Sequence, residues 1–232
     1  MYYDRYEEAT TSLALGDIKQ NHIVLCHNNA NQFNCISSYG KLIETGEPTG
    51  IQNNFNYALK MLEPGEWGIF LSDDYIVSKK LQDDNFVECS IKYVLDQLVN
   101  LLAKCDQAGI NLLGLNSTGN PFYAKKKYGK YGLVDGRAFA IKKTGFVWHP
   151  DISTCTDYYA TVYHLKKYGG NLIYNHAYMD FKRYEKKGLG TVLDRAEKKI
   201  EDVKILKNLY PENVIIRDKK GQPKNSHIVI KR

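Results

Sequence analysis

Hydrophobic positions along this chain fall into two periods, and the switches between them outline the fold. Residues 22–26, HIVLC, form a short apolar run that predicts a buried strand, and the polar segment HNNANQFN after it predicts a loop at the strand's carboxyl end. Residues 51–62 carry apolar side chains at 51, 55, 58, 59 and 62, which is helical spacing. Pro64-Gly65 ends that helix. A second strand, Trp67 to Leu71, stops abruptly at Ser72. The longest amphipathic stripe, Ile91, Val94, Leu95, Leu98, Leu101, Leu102 and Cys105, predicts a helix over 90–105. NLLGL at 111–115 predicts a strand, and strand character resumes over 131–142 around Asp135-Gly136. A helix over 154–168, a strand over 171–174, an irregular segment to 190 and a charged helix over 191–208 follow. The tail reads as two short strands around a turn.

Strands alternating with helices predict an α/β fold with a mostly parallel sheet: one domain over residues 1–208 and a small extension over 209–232. In such sheets ligands sit at the carboxyl ends of the strands. Two polar segments fall at such ends, one at His27-Asn28-Asn29 and one at Ser72-Asp73-Asp74.

Composition narrows the picture modestly. With 232 residues, 43% hydrophobic and 25% charged, the chain can bury a real core. Tyrosine is over-represented, 18 against 8 Phe and 2 Trp, which fits either a polar ligand surface or a genome rich in Tyr and Lys. The net charge of +6 permits a polyanionic partner without demanding one. Five scattered cysteines without a C-x-x-C pair argue against a structural zinc site and fit free thiols in a reducing compartment. The acidic N-terminus lacks an apolar signal core, and no run is long enough to span a membrane. A soluble cytoplasmic protein (in the host cytoplasm if viral) is expected, with no membrane partner, as a monomer or weak oligomer.

Several residues carry candidate chemistry. Asp73 and Asp74 repel each other at the end of an apolar strand. One reading is a turn acid or an N-cap for residues 75–81; the other is a divalent cation that lies between them and a diphosphate and relieves the repulsion. Asp157 lies three residues after Thr154, the spacing of a capping box, and a carboxylate fixed in a first helical turn also suits a general base. His176 is either an ordinary polar residue or a ligand completing a Mn2+ site. Arg183, Lys186 and Lys187 lie between glycines and polar residues, as a solvated charge run or a diphosphate-closing loop. Tyr123, Lys125, Lys126, Lys127 and Lys130 mix cations with aromatics, which suits an ordinary exposed loop or contacts to phosphates and unstacked bases. No G-x-x-x-x-G-K-[ST], G-x-G-x-x-G or G-x-S-x-G occurs, which disfavours P-loop kinases, typical dehydrogenases and α/β hydrolases.

Taken in order, "NNFNYALKMLEPGEWGIFLSDDY", "VDGRAFAIKKTGF" and "TDYYATVYHLKKYGG" resemble the GT-A class of nucleotide-sugar glycosyltransferases, in particular its inverting, family-two-like branch. The resemblance covers roughly residues 22–190 and implies a Rossmann-like mixed sheet flanked by helices. It implies a Mn2+ or Mg2+ ion held by Asp74 with Asp73, and His176 as a third metal or diphosphate contact. It implies Asp157 as the base that deprotonates the acceptor. His27, Asn28 and Asn54 would lie near the nucleotide, and Asp135, Gly136 and Arg137 would border the sugar and acceptor. Three positions depart from the family pattern. Ser72 stands where a first acid is common, Thr156 where Glu is usual, and Asn53 where Arg is frequent. Small size, basic charge and the Lys/Tyr loop look like the TET/JBP-associated glycosyltransferases of bacteriophages, which implies UDP-glucose or another UDP-sugar as donor. The acceptor would be 5-hydroxymethylcytosine or 5-hydroxymethyluracil in DNA, contacted through Tyr123 and the four lysines. The alternatives are a glycan or protein acceptor, and a non-catalytic nucleic-acid-binding module. A nucleotidyltransferase is a further rival, disfavoured because "CHNNANQF" lacks a Gly-rich basic loop.

Overall fold

A computed structural model describes residues 10–15, 23–26, 41–44, 50–182, 192–217 and 227–231. Its centre is a seven-stranded mixed sheet. The strands are β3 (Trp67–Leu71), β4 (Tyr75–Gln82), β5 (Asn85–Cys89), β6 (Leu112–Asn116), β7 (Tyr128–Gly129), β8 (Ala138–Lys142) and β9 (Leu172–Phe181). They lie in the order β3-β8-β6-β9-β4-β5, with β7 also paired to β9. Two further strands, β1 (Ile23–Cys26) and β2 (Lys41–Glu44), pair in parallel as a separate sheet.

The sheet corrects the expectation of mostly parallel strands. Only β6 and β9 pair in parallel within it; the other pairs are antiparallel. The expectation assumed helical crossovers, but the chain turns back on itself without one after β3 and after β4. The β4–β5 hairpin lay hidden in YIVSKKLQDDNFVEC. Asp83 and Asp84 both take positive φ at its tip, 48° and 60°, the conformation of a two-residue hairpin turn. Likewise β9 does not stop at 174 but runs on through the segment expected to be irregular.

Alternation along the strands feeds two cores. On one face Leu112, Phe139, Ile141 and Ile173 pack with α2 (Ile51–Lys60), α4 (Thr156–Tyr168) and α5 (Val192–Leu209). On the other, Leu113, Leu115, Ala138, Ala140 and Met179 pack against α3 (Ile91–Gln107) and against Leu15, which follows α1 (Thr10–Ala14). Helix α3 forms as its stripe predicts. Ile91, Val94, Leu98, Leu101 and Cys105 are buried, and the Ser90 hydroxyl caps the helix by accepting from the Tyr93 N–H at 3.2 Å. The first core is aromatic, with Phe70 stacked on Phe139 at 5.0 Å and Phe55 against Trp148 at 4.7 Å. The expected boundary at 208/209 falls at the end of α5. Beyond it, β10 (Val214–Arg217) and β11 (His227–Ile230) pair antiparallel, and Val214 and Ile228 share a core with Val203 and Leu206 of α5. No helix among the described residues is long and apolar enough to cross a membrane.

Pairing directions fix where chemistry can gather. β3, β6 and β9 run the same way, while β8 and β4 run against them. The carboxyl ends of β3, β6 and β9 therefore share one rim of the sheet with the starts of β4 and β8.

Candidate active site at the strand ends

The acid turn Ser72-Asp73-Asp74 joins β3 to β4 on this rim, and its backbone is held from several sides. The Thr11 hydroxyl of α1 donates to the Ser72 carbonyl at 2.6 Å and accepts from the Tyr75 N–H at 3.2 Å. The Thr10 hydroxyl donates to the Asp73 carbonyl at 3.3 Å. The Lys182 N–H, just past β9, donates to the Asp74 carbonyl at 2.9 Å. Ser72, where a third acid would be common, donates its hydroxyl to Asp74 Oδ1 at 2.7 Å and so orients that carboxylate. No group of three or more His, Cys, Asp or Glu side chains that could hold a metal occurs among the described residues. Two carboxylates nevertheless suit Mg2+ or Mn2+, because such ions usually take one or two carboxylates and complete their shell with substrate phosphates and water.

The turn Asp135-Gly136-Arg137 adjoins the acid turn, since the Ser72 N–H donates to the Arg137 carbonyl at 2.7 Å. Arg137 Nε bonds Asp135 Oδ1 at 2.8 Å, and Nη2 bonds Oδ2, a two-point ion pair. The guanidinium lies over the Phe181 ring, 5.8 Å from its centroid. Asp135 bonding, ahead of the opposing effect of burial, holds the Arg137 pKa above its ordinary value. Asp135 and Arg137 line a small cleft with Asn116 and Phe181. Gly136 lines another, on the aromatic side of the sheet, with Phe55, Phe139, Trp148 and Asp157.

Asp157 reaches the rim from the first turn of α4. A Cβ on Gly136 would sit 3.3 Å from the Asp157 Cβ, so the two backbones approach as closely as a glycine allows. Burial pushes the Asp157 carboxyl up to about 7, and the neighbouring Asp135 charge adds to the shift; the Tyr158 N–H bond, 2.8 Å, and Lys199 oppose it. An acid poised near neutrality can exchange a proton at working pH.

The capping box expected at Thr154 does not form. Helix α4 begins at Thr156, with Cys155 as its N-cap and no side-chain cap bond from that residue. The residues that lead into the helix are held instead from α5, and within the first turn the Tyr158 N–H goes to Asp157 itself. Asp202 Oδ2 accepts from the N–H groups of Ser153 (3.1 Å), Thr154 (2.6 Å) and Cys155 (3.0 Å), and from the Thr154 hydroxyl (2.7 Å). Its partners lie 47–49 residues away in sequence, which no local motif encodes.

The structure thus brings Ser72, Asp73, Asp74, Asp135, Gly136, Arg137 and Asp157 to one rim. It does not bring His176 into a metal-holding group with the acid turn. Ala177 pairs with Lys80, whereas Asp74 bonds Lys182, and His176 lies in an irregular stretch of β9 between Tyr174 and Tyr178, the partners of Leu115 and Asn116. The reason is the length of β9: His176 lies inside the strand rather than just after it. Asn54 is buried on α2, beside the Phe55 that lines the Asp157 cleft. His27, Asn28, Arg183, Lys186 and Lys187 lie outside the described residues.

The lysine loop is well anchored. Asn116 Oδ1 accepts from the Thr118 and Gly119 N–H groups at 3.0 and 3.1 Å, starting the loop at the rim. Farther on, Asn175 donates its N–H to the Lys127 carbonyl (2.9 Å) and its amide to the Lys126 carbonyl (2.8 Å). Phe122 and Tyr123 are 64% and 62% exposed and meet edge to face at 5.3 Å. Lys125, Lys127 and Lys130 lie over Phe122, Tyr128 and Tyr131, at 4.8, 5.6 and 5.5 Å. Lys126 is exposed. Sequence reasoning missed Thr11 and Asp202; a charged residue on a mostly polar helix gave no sign that it would be buried. No protein-family model matches the chain, and no curated protein matches it.

Proposed function

We propose that the chain is a metal-dependent, inverting glycosyltransferase of the GT-A class. It moves a sugar from a UDP-sugar, UDP-glucose foremost, to a hydroxyl. The observation that carries this reading is one turn, Asp135-Gly136-Arg137, that bonds the two-carboxylate turn through Ser72 and packs against Asp157, whose carboxyl is pushed up to about 7 by burial. One group suits a metal–diphosphate, the other a proton acceptor, and inverting transfer needs both.

Asp74 and Asp73 would hold a Mn2+ or Mg2+ ion, with Ser72 fixing the direction of Asp74. The ion would supply Lewis-acid neutralisation of the charge that develops on departing UDP. Asp157 accepts the proton of the acceptor hydroxyl. The acceptor oxygen bonds the anomeric carbon from the face opposite UDP, and the bond to the diphosphate oxygen breaks with its electron pair leaving on UDP. Arg137, beside the acid turn, borders the sugar together with Asp135 and Gly136.

For the acceptor we infer a hydroxymethylated pyrimidine in DNA. The exposed, ring-and-lysine loop starting at the rim supports a polyanionic partner bearing flat bases. Transfer from UDP-glucose to 5-hydroxymethylcytosine DNA, with Mn2+ present, tests the reading. Asp74→Ala and Asp157→Asn should each abolish transfer, and Asp157→Asn should keep the Mn2+-dependent rise in melting temperature on adding UDP. Full activity in either variant, or retained anomeric configuration in the product, would overturn it.

A further inference from the structure

One buried carboxylate takes no part in the reaction described above. Asp202 is 2% exposed, and its Oδ2 gathers four donors from Ser153, Thr154 and Cys155. We propose that Asp202 is a positioning residue that aims Asp157 by anchoring the start of α4 from α5. This rests on the reading of Asp157 as the base.

Residues 153–155 lead directly into Thr156 and Asp157, at the first two positions of the helix. They are gripped from two sides. Asp202 takes their N–H groups, and the Trp148 indole N–H donates to the Thr156 carbonyl at 3.2 Å. Asp202 is itself fixed, because its neighbour Val203 and the nearby Leu206 are fully buried in the aromatic core. A side chain in a first helical turn points where the helix start points. The body of α4 has its own hold, through buried Tyr159, Ala160 and Val162. Losing Asp202 therefore loosens the end of the helix rather than the whole of it, because helix ends fray first once their N–H groups lose partners. Asp157 lies within that end.

An anion is favourable at a helix N-terminus, and both acids act there. Asp202 holds the residues leading into the helix from another element, while Asp157 accepts from the Tyr158 N–H within the first turn. The charged and titratable groups around Asp157 are Asp135 with its partner Arg137, Lys199 of α5, Cys155 and Tyr158.

The test uses Asp202→Asn in the full chain, with UDP-glucose, Mn2+ and a hydroxymethylcytosine oligonucleotide. The rate at saturation should fall by at least about tenfold while KM for UDP-glucose stays within about twofold, since misaiming a base costs rate rather than donor binding. A rise in KM at unchanged kcat, or wild-type activity, would each overturn the proposal. A second readout needs no activity: the carboxyl carbon of Asp157 followed by NMR against pH. Its midpoint should drop toward the ordinary aspartate range in Asp202→Asn as water enters the frayed turn. An unchanged midpoint overturns the proposal, whereas absence of transfer in the wild type overturns only the glycosyltransferase reading. Should Asp202→Asn fail to fold, Thr154→Ala removes one of the four donors, and the same shifts are expected at smaller size.

Discussion

Two carboxylates meet the N-terminus of α4, and the fold treats them in opposite ways. Asp202 comes from α5, lies in the interior and collects three backbone N–H groups and a hydroxyl on one oxygen. Asp157 belongs to α4 itself, accepts from the Tyr158 N–H, and faces an apolar cleft and the Asp135 charge. Asp202 fixes the residues that lead into the helix, while Asp157 accepts a first-turn N–H and sits in surroundings that resist ionisation.

Breaking the anchoring side should have the largest effect on stability. Asp202→Ala leaves the buried Cys155 N–H, the part-buried N–H groups of Ser153 and Thr154 and the Thr154 hydroxyl without their acceptor. Each unsatisfied buried group costs about 1–3 kcal/mol, and partial relaxation keeps the sum below full additivity. A loss of roughly 3–5 kcal/mol is expected, read as a lower urea midpoint at unchanged m-value. Asp202→Asn keeps an acceptor and should lose less. A wild-type midpoint for Asp202→Ala would show that the contact does not hold the helix end.

Breaking the reacting side should have the opposite sign. The folded-state pKa of Asp157 lies near 7, above its unfolded value near 3.8. Between those values the folded chain binds more protons than the unfolded one, so this group's contribution to stability falls as pH rises from about 4 to about 7. Asparagine does not titrate. Asp157→Asn should match wild type near pH 4 and exceed it at pH 8. The full shift corresponds to at most about 4 kcal/mol, and partial exposure of the side chain reduces the expected gain to roughly 2 kcal/mol. Thermal melts at both pH values check this. His164 gives a background of opposite slope, because burial pulls it down to about 4 and its protonation in the unfolded chain favours unfolding between pH 4 and 6.5. Comparing variant with wild type at each pH cancels it. A variant that loses transfer yet gains stability at pH 8 marks a residue kept for chemistry rather than for folding.

The same contrast explains how far the sequence could be read. Helix α3, strands β3 and β6 and the core-facing stripe were legible because local periodicity reports burial directly. The acid turn was legible because two adjacent acids ending an apolar strand have little packing reason to be there. The mostly parallel sheet was misread because Asp83-Asp84, a hairpin tip, lacks the glycine that usually announces one. The length of β9 was missed because the strand continues through residues whose alternation is weak, which puts His176 inside a strand rather than after one. Thr154-x-x-Asp157 had the spacing of a local cap, yet the partner that won lies 48 residues beyond Thr154. Long-range polar contacts leave no periodic trace, so Asp202 and the Thr11 clamp on the acid turn appear only in three dimensions.

The smallest expected stability effect tests whether the two sides are joined through the Asp135-Gly136-Arg137 turn. A Cβ at residue 136 would lie 3.3 Å from the Asp157 Cβ and 3.9 Å from the Thr156 hydroxyl oxygen. Alanine there needs a displacement of a few tenths of an ångström, shared between the turn and the first turn of α4. The Asp135–Arg137 pair stiffens the turn and Asp202 stiffens the helix end, so neither yields freely. Gly136→Ala should cost under about 1 kcal/mol of stability, as a slightly overpacked site does when neighbours can shift. Transfer should nonetheless fall several-fold, because the atom displaced carries the base. Combining Gly136→Ala with Asp202→Asn should restore part of that loss relative to the sum of the single effects, since a loosened helix end can move out of the way. Strict additivity of the two would mean that the turn and the anchor act on Asp157 independently, and that its position is set by the body of α4 instead.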